Sequence, residues 1–436
     1  MRAATLDIGD THPPRTARLV VATSVGSALE FFDYTAYSFF AIVIGKLFFP
    51  SLSPYMQLLL SVVTYGMGYV IRPLGGLIFG SMADRRGRKS AMMATVLLMA
   101  LGCAVIGLAP TYATAGSMAP LFIIVGRVLQ GISAGGEVGA GTTILAEAAA
   151  PARRGLFGSL TFASQGLGVT LGALLAVLIN RTLSPEQIAQ WGWRVPFLLG
   201  VLIAFVALFL RSSARELDIG AAPAPPAQAV RRPADHRILS ALRDHIGKLC
   251  FGTLLVIGST VCANIVTFYM PTYAISVLHM APANALTAAM TSGAVVFVGS
   301  ILAGWLSDRH GRKTVILYSR LALVIVLYPA FRWLGEAPTP SNLILAVAFL
   351  SALSALTTAP SITMIPEMFP ARIRASGVSI VYSVGVSVFG GFAQASAVWL
   401  IHVTGSNLAP AYYTIACILV STVALLFVKD QTGRPI

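Results

Sequence analysis

The chain is short of charge. Only 11% of its 436 residues are Asp, Glu, Lys or Arg, against about 25% in an ordinary soluble protein. Hydrophobic residues make up 56%, and the mean hydropathy is +0.80, which excludes a water-soluble globule. The four cysteines, Cys103, Cys250, Cys262 and Cys417, fall at or within apolar runs without C-x-x-C spacing; they exclude a disulfide framework or a zinc motif and read as small packing residues. There is no G-x4-G-K-[ST] phosphate loop and no H-E-x-x-H, and the one G-x-S-x-G match, Gly131–Gly135, lies inside an apolar run without the strand-to-helix context of a nucleophile elbow, so neither ATP-driven pumping nor hydrolysis has its chemistry. No enzyme activity, cofactor or metal is expected. Residues 1–18 lack an apolar core followed by a small-residue cleavage site, so the first hydrophobic stretch reads as a retained helix and not a signal peptide.

What the chain does have is length in apolar runs. A helix of about 20 residues crosses a hydrocarbon core of about 30 Å, and twelve such runs are predicted, at 19–42, 57–81, 90–109, 119–146, 156–179, 194–211, 249–270, 284–306, 314–331, 342–364, 376–400 and 410–428. The formal charge of +14 would suggest nucleic acid in a soluble protein. With the N-terminus inside, however, about 23 of the 30 Lys and Arg fall in cytoplasmic segments. That is the positive-inside bias. It accounts for the basic charge without nucleic acid, places both termini in the cytoplasm, and leaves membrane lipid as the partner of the basic segments.

The chain is also duplicated. Gly80-Ser-Met-Ala-Asp84-Arg85-Arg86-Gly87-Arg88-Lys89 returns as Gly304-Trp-Leu-Ser-Asp308-Arg309-His310-Gly311-Arg312-Lys313. Glu147-x3-Pro151-x-Arg153-Arg154-Gly155 returns in outline as Glu367-x2-Pro370-x-Arg372-x-Arg374-x2-Gly377. The expectation is an all-α membrane protein with a tail at 1–18, a six-helix bundle at 19–211, a Pro-rich basic linker at 212–248, a second six-helix bundle at 249–428 and a tail at 429–436. Two such halves can form a site between them that opens to either side in turn, which is transporter architecture.

An ionised side chain at mid-membrane costs about 2.5 to 3.5 kcal/mol on insertion scales, so intramembrane charges are candidates for function. They are Glu30, Asp33, Arg72, Arg127, Glu137 and Arg320. At about 1.5 Å per residue, Asp33, Arg72 and Arg127 come to similar mid-depth, while Glu30 and Asp33 share a helix face. Such pairs can simply neutralise one another and hold helices together. They can also form a proton switch, in which Asp33, or else Glu30 or Glu137, loads and unloads a proton as an arriving anion recruits an arginine. Arg72 and Arg127 would then hold substrate carboxylates. Asn264, Tyr269, Tyr273 and Gln394 add uncharged polar atoms from the second half, as substrate contacts or as helix bridges. Arg320 lies close enough to the repeated motif to snorkel, and His279 and His402 make no cluster.

The paired loops, with Gly126-Arg127-x2-Gln130-Gly131, resemble the major facilitator superfamily. Leu29-Glu30-Phe31-Phe32-Asp33-Tyr34, Arg72-Pro73-Leu74-Gly75-Gly76, Gly135-Gly136-Glu137 and Trp191-Gly192-Trp193-Arg194-x-Pro196-Phe197 are similar to its metabolite:proton symporter branch. The resemblance implies a twelve-helix symporter of the bacterial inner membrane, working as a monomer on a small organic anion and protons. It implies a cytoplasmic latch at Asp84, Arg85, Arg88, Asp308, Arg309 and Arg312, a gate or entry role for Arg194, proton coupling through Asp33 and Arg127, and an Arg72 that faces substrate. Phe389-Gly390-Gly391-Phe392-Ala393-Gln394 and the run from Leu400 to Pro410 are similar to citrate and tricarballylate symporters, which makes citrate the expected substrate. A dicarboxylate such as 2-oxoglutarate, a shikimate-type acid, a zwitterion, and a non-transporting sensor are the alternatives. Ser27 stands where relatives often have Asn, a departure at the expected ligand face.

Overall fold

The computed structural model describes residues 13–148, 151–213, 245–370 and 374–433. We number the spans α1 (Pro13–Phe39), α2 (Pro54–Val70, continued by Arg72–Arg86), α3 (Arg88–Gly107), α4 (Ala119–Ala148), α5 (Arg154–Thr182), α6 (Val195–Ser213), α7 (Ile246–Ser276), α8 (Pro282–His310), α9 (Arg312–Glu336), α10 (Pro340–Glu367), α11 (Arg374–Val384, continued through Gly385–Gly390 to Ala393–Thr404) and α12 (Ala409–Phe427). No strand occurs among the described residues. Ten of these helices are long and apolar enough to cross a membrane. An eleventh span is made by α1 with the short helix Ala41–Phe48, bent by 58°, and Gly192–Phe205 is a shorter apolar helix at α6. Helix is the outcome physics demands here, because without water each backbone N–H must find its acceptor within its own segment.

Local sequence sets the ends and breaks. Ser53 and Thr339 each accept a backbone N–H from the first turn of the helix they precede, with Pro54 and Pro340 just inside, where a missing N–H costs nothing. Between α2 and α3, and again between α8 and α9, the chain turns at a glycine, Gly87 and Gly311, with φ of 86° and 88°. Only glycine takes that conformation without strain, so the duplicated motif carries a duplicated turn. We call the face bearing these two loops the motif face, and the opposite one the far face. Pro73 cannot donate an N–H to the turn before it, and α2 breaks at Ile71. In α7, Asn264–Tyr269 is a π-helical segment just before Pro271; in α11, Gly385–Gly390 is another. Such wide turns often mark functional positions.

The two halves meet mainly through α5 against α8, and through α2 with α11 and α1 with α7. The close approaches are made by small residues, as in other membrane bundles. A Cβ on Gly131 would run into the backbone of Gly68, and one on Gly135 into the backbone of Arg72. Large apolar side chains such as Leu77, Ile325 and Leu345 face outward, as a lipid-facing surface requires. Arg320 departs from expectation: it is wholly buried and does not snorkel. Its guanidinium donates to the carbonyls of Ser421 (2.8 Å) and Leu255 (2.8 Å) and to Ser259 Oγ (2.9 Å), bolting α9 to α12 and α7.

Candidate functional site

Between the two halves lies a void of about 950 Å³, counting the solvent at its mouth. The first half contributes Ser27, Glu30, Phe31, Tyr69 and Arg72, with Thr161, Phe162 and Gln165 from α5. The second half contributes a neutral polar wall of Ser259, Thr260, Asn264, Thr358, Ser361 and Tyr382. Both charges lie on the first-half side, and the second-half side is neutral. Thr161 Oγ1, Asn264 Oδ1, Thr358 Oγ1 and the Tyr382 hydroxyl are buried without a hydrogen-bond partner. Unpaired buried polar atoms are costly, so this cluster suits a polar guest.

Arg72 meets Glu30 at 2.7 Å, and its Nε donates to the Tyr34 hydroxyl at 3.3 Å. Its guanidinium lies over the Tyr69 ring at 4.2 Å and the Tyr34 ring at 4.8 Å. Arg127 lies on the other side of Tyr34, 4.5 Å from that ring's centre, and also faces Tyr37 and Tyr65. Tyr34 is thus held between two cations, whose attraction to the ring faces is strengthened by desolvation. Behind it Arg127 approaches Asp33 at 3.7 Å and donates to Gln130 Oε1 (2.9 Å) and the Tyr65 carbonyl (3.1 Å). Cys103 Sγ donates to Asp33 Oδ1 at 3.1 Å, and Gln130 Nε2 donates back to Cys103 Sγ at 3.5 Å. Asp33, Cys103, Gln130 and Arg127 form a closed ring.

Some expected site residues are brought together here and others are not. Glu30, Arg72 and Asn264 line the void. Arg127 and Asp33 sit one layer behind it, separated by the tyrosines. Tyr269 is buried among apolar side chains, and the Tyr273 hydroxyl donates to the Asn407 carbonyl (3.1 Å) at the far face. Gln394 Nε2 donates to Ser38 Oγ at 3.0 Å, and Ser38 in turn donates to the Phe268 carbonyl, so Gln394 ties α11 to α1 beyond the void. Glu137 stands on α4, but its side chain lies outside the described residues, as do those of Asp84 and Arg88. Cys103 is no mere packing residue. The tyrosine cage was readable as Tyr34/Tyr37 and Tyr65/Tyr69, pairs three and four residues apart on a helix; the hydroxyl wall had no such signal.

On the motif face, Asp308 accepts the backbone N–H groups of Gly155 (2.8 Å) and Leu156 (2.9 Å) at the start of α5. A carboxylate there meets both the free donors and the positive end of the helix dipole. Arg312, wholly buried, lies 3.6 Å from Asp308 and pairs with Glu367 of α10. Arg309 and Arg85 are exposed, and Arg309 lies over the Trp305 ring. On the far face Arg194 donates to the Ala109 carbonyl (2.7 Å) and lies over Trp193, joining α3 to α6. Tyr55 of α2 stacks on His402 of α11 with ring centres 3.7 Å apart. The lining of the void reaches toward the motif face at Thr161, Ile365 and Tyr382.

Residues 19–216 match the family description "Sugar (and other) transporter", and residues 283–435 match "Major Facilitator Superfamily". The citrate-proton symporter of Salmonella typhi is 31% identical over 97% of this chain and 98% of its own. The alpha-ketoglutarate permease of Escherichia coli is 31% identical over 95% of this chain and 94% of its own. The xylose transporter of E. coli in an inward-open conformation superposes with a TM-score of 0.77 at 18% identity, covering 96% of this chain and 97% of that one, a likeness of fold. Duplicated motif loops, twelve helices around a central polar void, and full-length relatives agree: the chain belongs to the major facilitator superfamily, a family of membrane transporters and not of enzymes.

Proposed function

We propose that this protein is a proton symporter for a small organic anion, with citrate as the first substrate to test, acting as a monomer in a bacterial inner membrane with both termini and the motif face in the cytoplasm. The observation that carries the reading is the Arg72–Glu30 pair on the wall of the void. A substrate carboxylate can take Arg72 bidentately in place of Glu30. Glu30, deprived of its cation, then bears a buried charge costing several kcal/mol unless it takes up a proton. Anion and proton binding are coupled through one guanidinium. Asp33 and Arg127 form the second acid–cation pair and hold the coupling proton, while the neutral wall at Asn264 and its neighbours meets the rest of the substrate. Asp308, Arg312 and Glu367 latch the cytoplasmic ends. The names of the citrate-proton symporter and alpha-ketoglutarate permease relatives support an acid as cargo.

Citrate uptake into proteoliposomes, with and without an inward proton gradient and with Arg72→Gln in parallel, tests this. Gradient-stimulated accumulation lost in Arg72→Gln is expected. Accumulation that ignores the proton gradient, or survives in Arg72→Gln, overturns the mechanism; uptake of 2-oxoglutarate but not citrate changes the substrate alone. One observation favours a second reading. Arg72 and Glu30 present both signs of charge on one wall, a fit for a zwitterion, which competition of proline or betaine against labelled citrate would reveal.

A further inference from the structure

A second void, of about 440 Å³ counting its mouth, lies inside the first half on the other side of α1. Its polar lining is Glu30, Asp33, Cys103 and Ser133; the rest is apolar, including Val96 and Ala204. Glu30 borders both voids, whereas Asp33 borders only this one. Its axis follows from the lining. Gly26 precedes Asp33 on α1 by the same seven residues as Val96 precedes Cys103 on α3, and both helices run from the motif face, so the void descends about 10 Å from the carboxylate toward that face. Ala204 lies beyond Gly200 on α6, which returns to the same face. The space open to water centres is about 30 Å³, above the roughly 10–15 Å³ that one water needs, and its polar atoms give water partners.

We propose that this side chamber is the cytoplasmic exit for the coupling proton, separate from the substrate's path, with Glu30 as the residue common to both. The inference rests on the proposed proton symport and assigns its proton a route. Asp33 does not line the substrate void, so a proton on it passes beside the substrate only by way of Glu30. The side chamber borders it directly. Around Asp33 the facing groups are Arg127 and Gln130 of α4 and Cys103 of α3, with Glu30 one turn below on α1.

The test separates steps that need proton release from one that does not. Ala204→Phe plugs the chamber and Ala204→Ser leaves it open; Ala204 does not line the substrate void. Proteoliposomes are assayed for citrate counterflow, an exchange in which the carrier stays protonated, and for net proton-driven citrate uptake. In Ala204→Phe, net uptake is expected to fall at least tenfold with counterflow within twofold of wild type, and Ala204→Ser should match wild type in both. Counterflow in the Phe variant also reports that it is folded. Net uptake unchanged in Ala204→Phe, or counterflow and net uptake falling together there while Ala204→Ser stays normal, overturns the chamber. Wild-type protein showing counterflow but no citrate-driven proton movement overturns the symport reading instead.

Discussion

The bilayer makes single residues informative, because a charge survives there only with a partner. Asp33→Asn is expected to abolish accumulation of citrate against its gradient, at least tenfold, while retaining counterflow, since an amide keeps hydrogen bonds to Cys103 but cannot cycle a proton; labelled citrate in proteoliposomes reads both. Arg72→Lys keeps the charge but loses the planar fork and its stacking on Tyr34 and Tyr69. An affinity loss of about tenfold, roughly 1.4 kcal/mol, is expected from binding measured by calorimetry. Glu30, Asp33, Arg72 and Arg127 were legible in the sequence for the same reason they are functional candidates: water-excluded charge is rare. Cys103, Thr358 and Tyr382 were not, since neutral polar side chains are tolerated throughout membrane helices and nothing in their spacing says which face a cavity.

At the scale of the helix, the proposed motif-face latch concentrates its contacts on one carboxylate. Asp308 satisfies two otherwise free N–H groups of α5, and hydrogen bonds to charged groups are worth about 1.5 to 3 kcal/mol each. Asp308→Ala is expected to shift the population toward separation of α5 and α8 at the motif face, read as a longer distance between spin labels on their ends; an unchanged distance removes the latch role. Asp430 adds a docking contact beside it. It accepts the Lys313 backbone N–H at 3.0 Å, and Thr432 Oγ1 accepts that of Arg312 at 3.1 Å. Burial alone would raise the Asp430 carboxyl, but hydrogen bonds from Thr432 and Lys313 and the nearby Arg312 outweigh it and hold it below the ordinary 3.8. A depressed acid stabilises above its ordinary pKa and loses that contribution as pH falls through the depressed value. The tail contact should therefore be insensitive between pH 5 and 8 and weaken only in strong acid, visible as hydrogen exchange at the start of α9. The spans themselves were readable from length and hydropathy. The π segments of α7 and α11 were not, because their cause is tertiary: Pro271 interrupts one ladder, but Gly385–Gly390 has no proline and widens where α2 and α7 press upon it.

For the whole molecule, the duplicated motifs made the architecture legible, while asymmetry of charge between the halves had to be seen in place. The first half carries both acid–cation pairs and the second only Arg320 among described mid-membrane charges, committed to backbone carbonyls. That division lets one half titrate while the other serves as a neutral wall. With Glu30 and Asp33 ionised, the empty carrier holds its two arginines at no net charge. A membrane potential acts on moved charge, at about 2.3 kcal/mol per elementary charge per 100 mV, so on the proposed cycle the unloaded return would be electrically silent, and voltage would bear only on what the carrier has taken aboard.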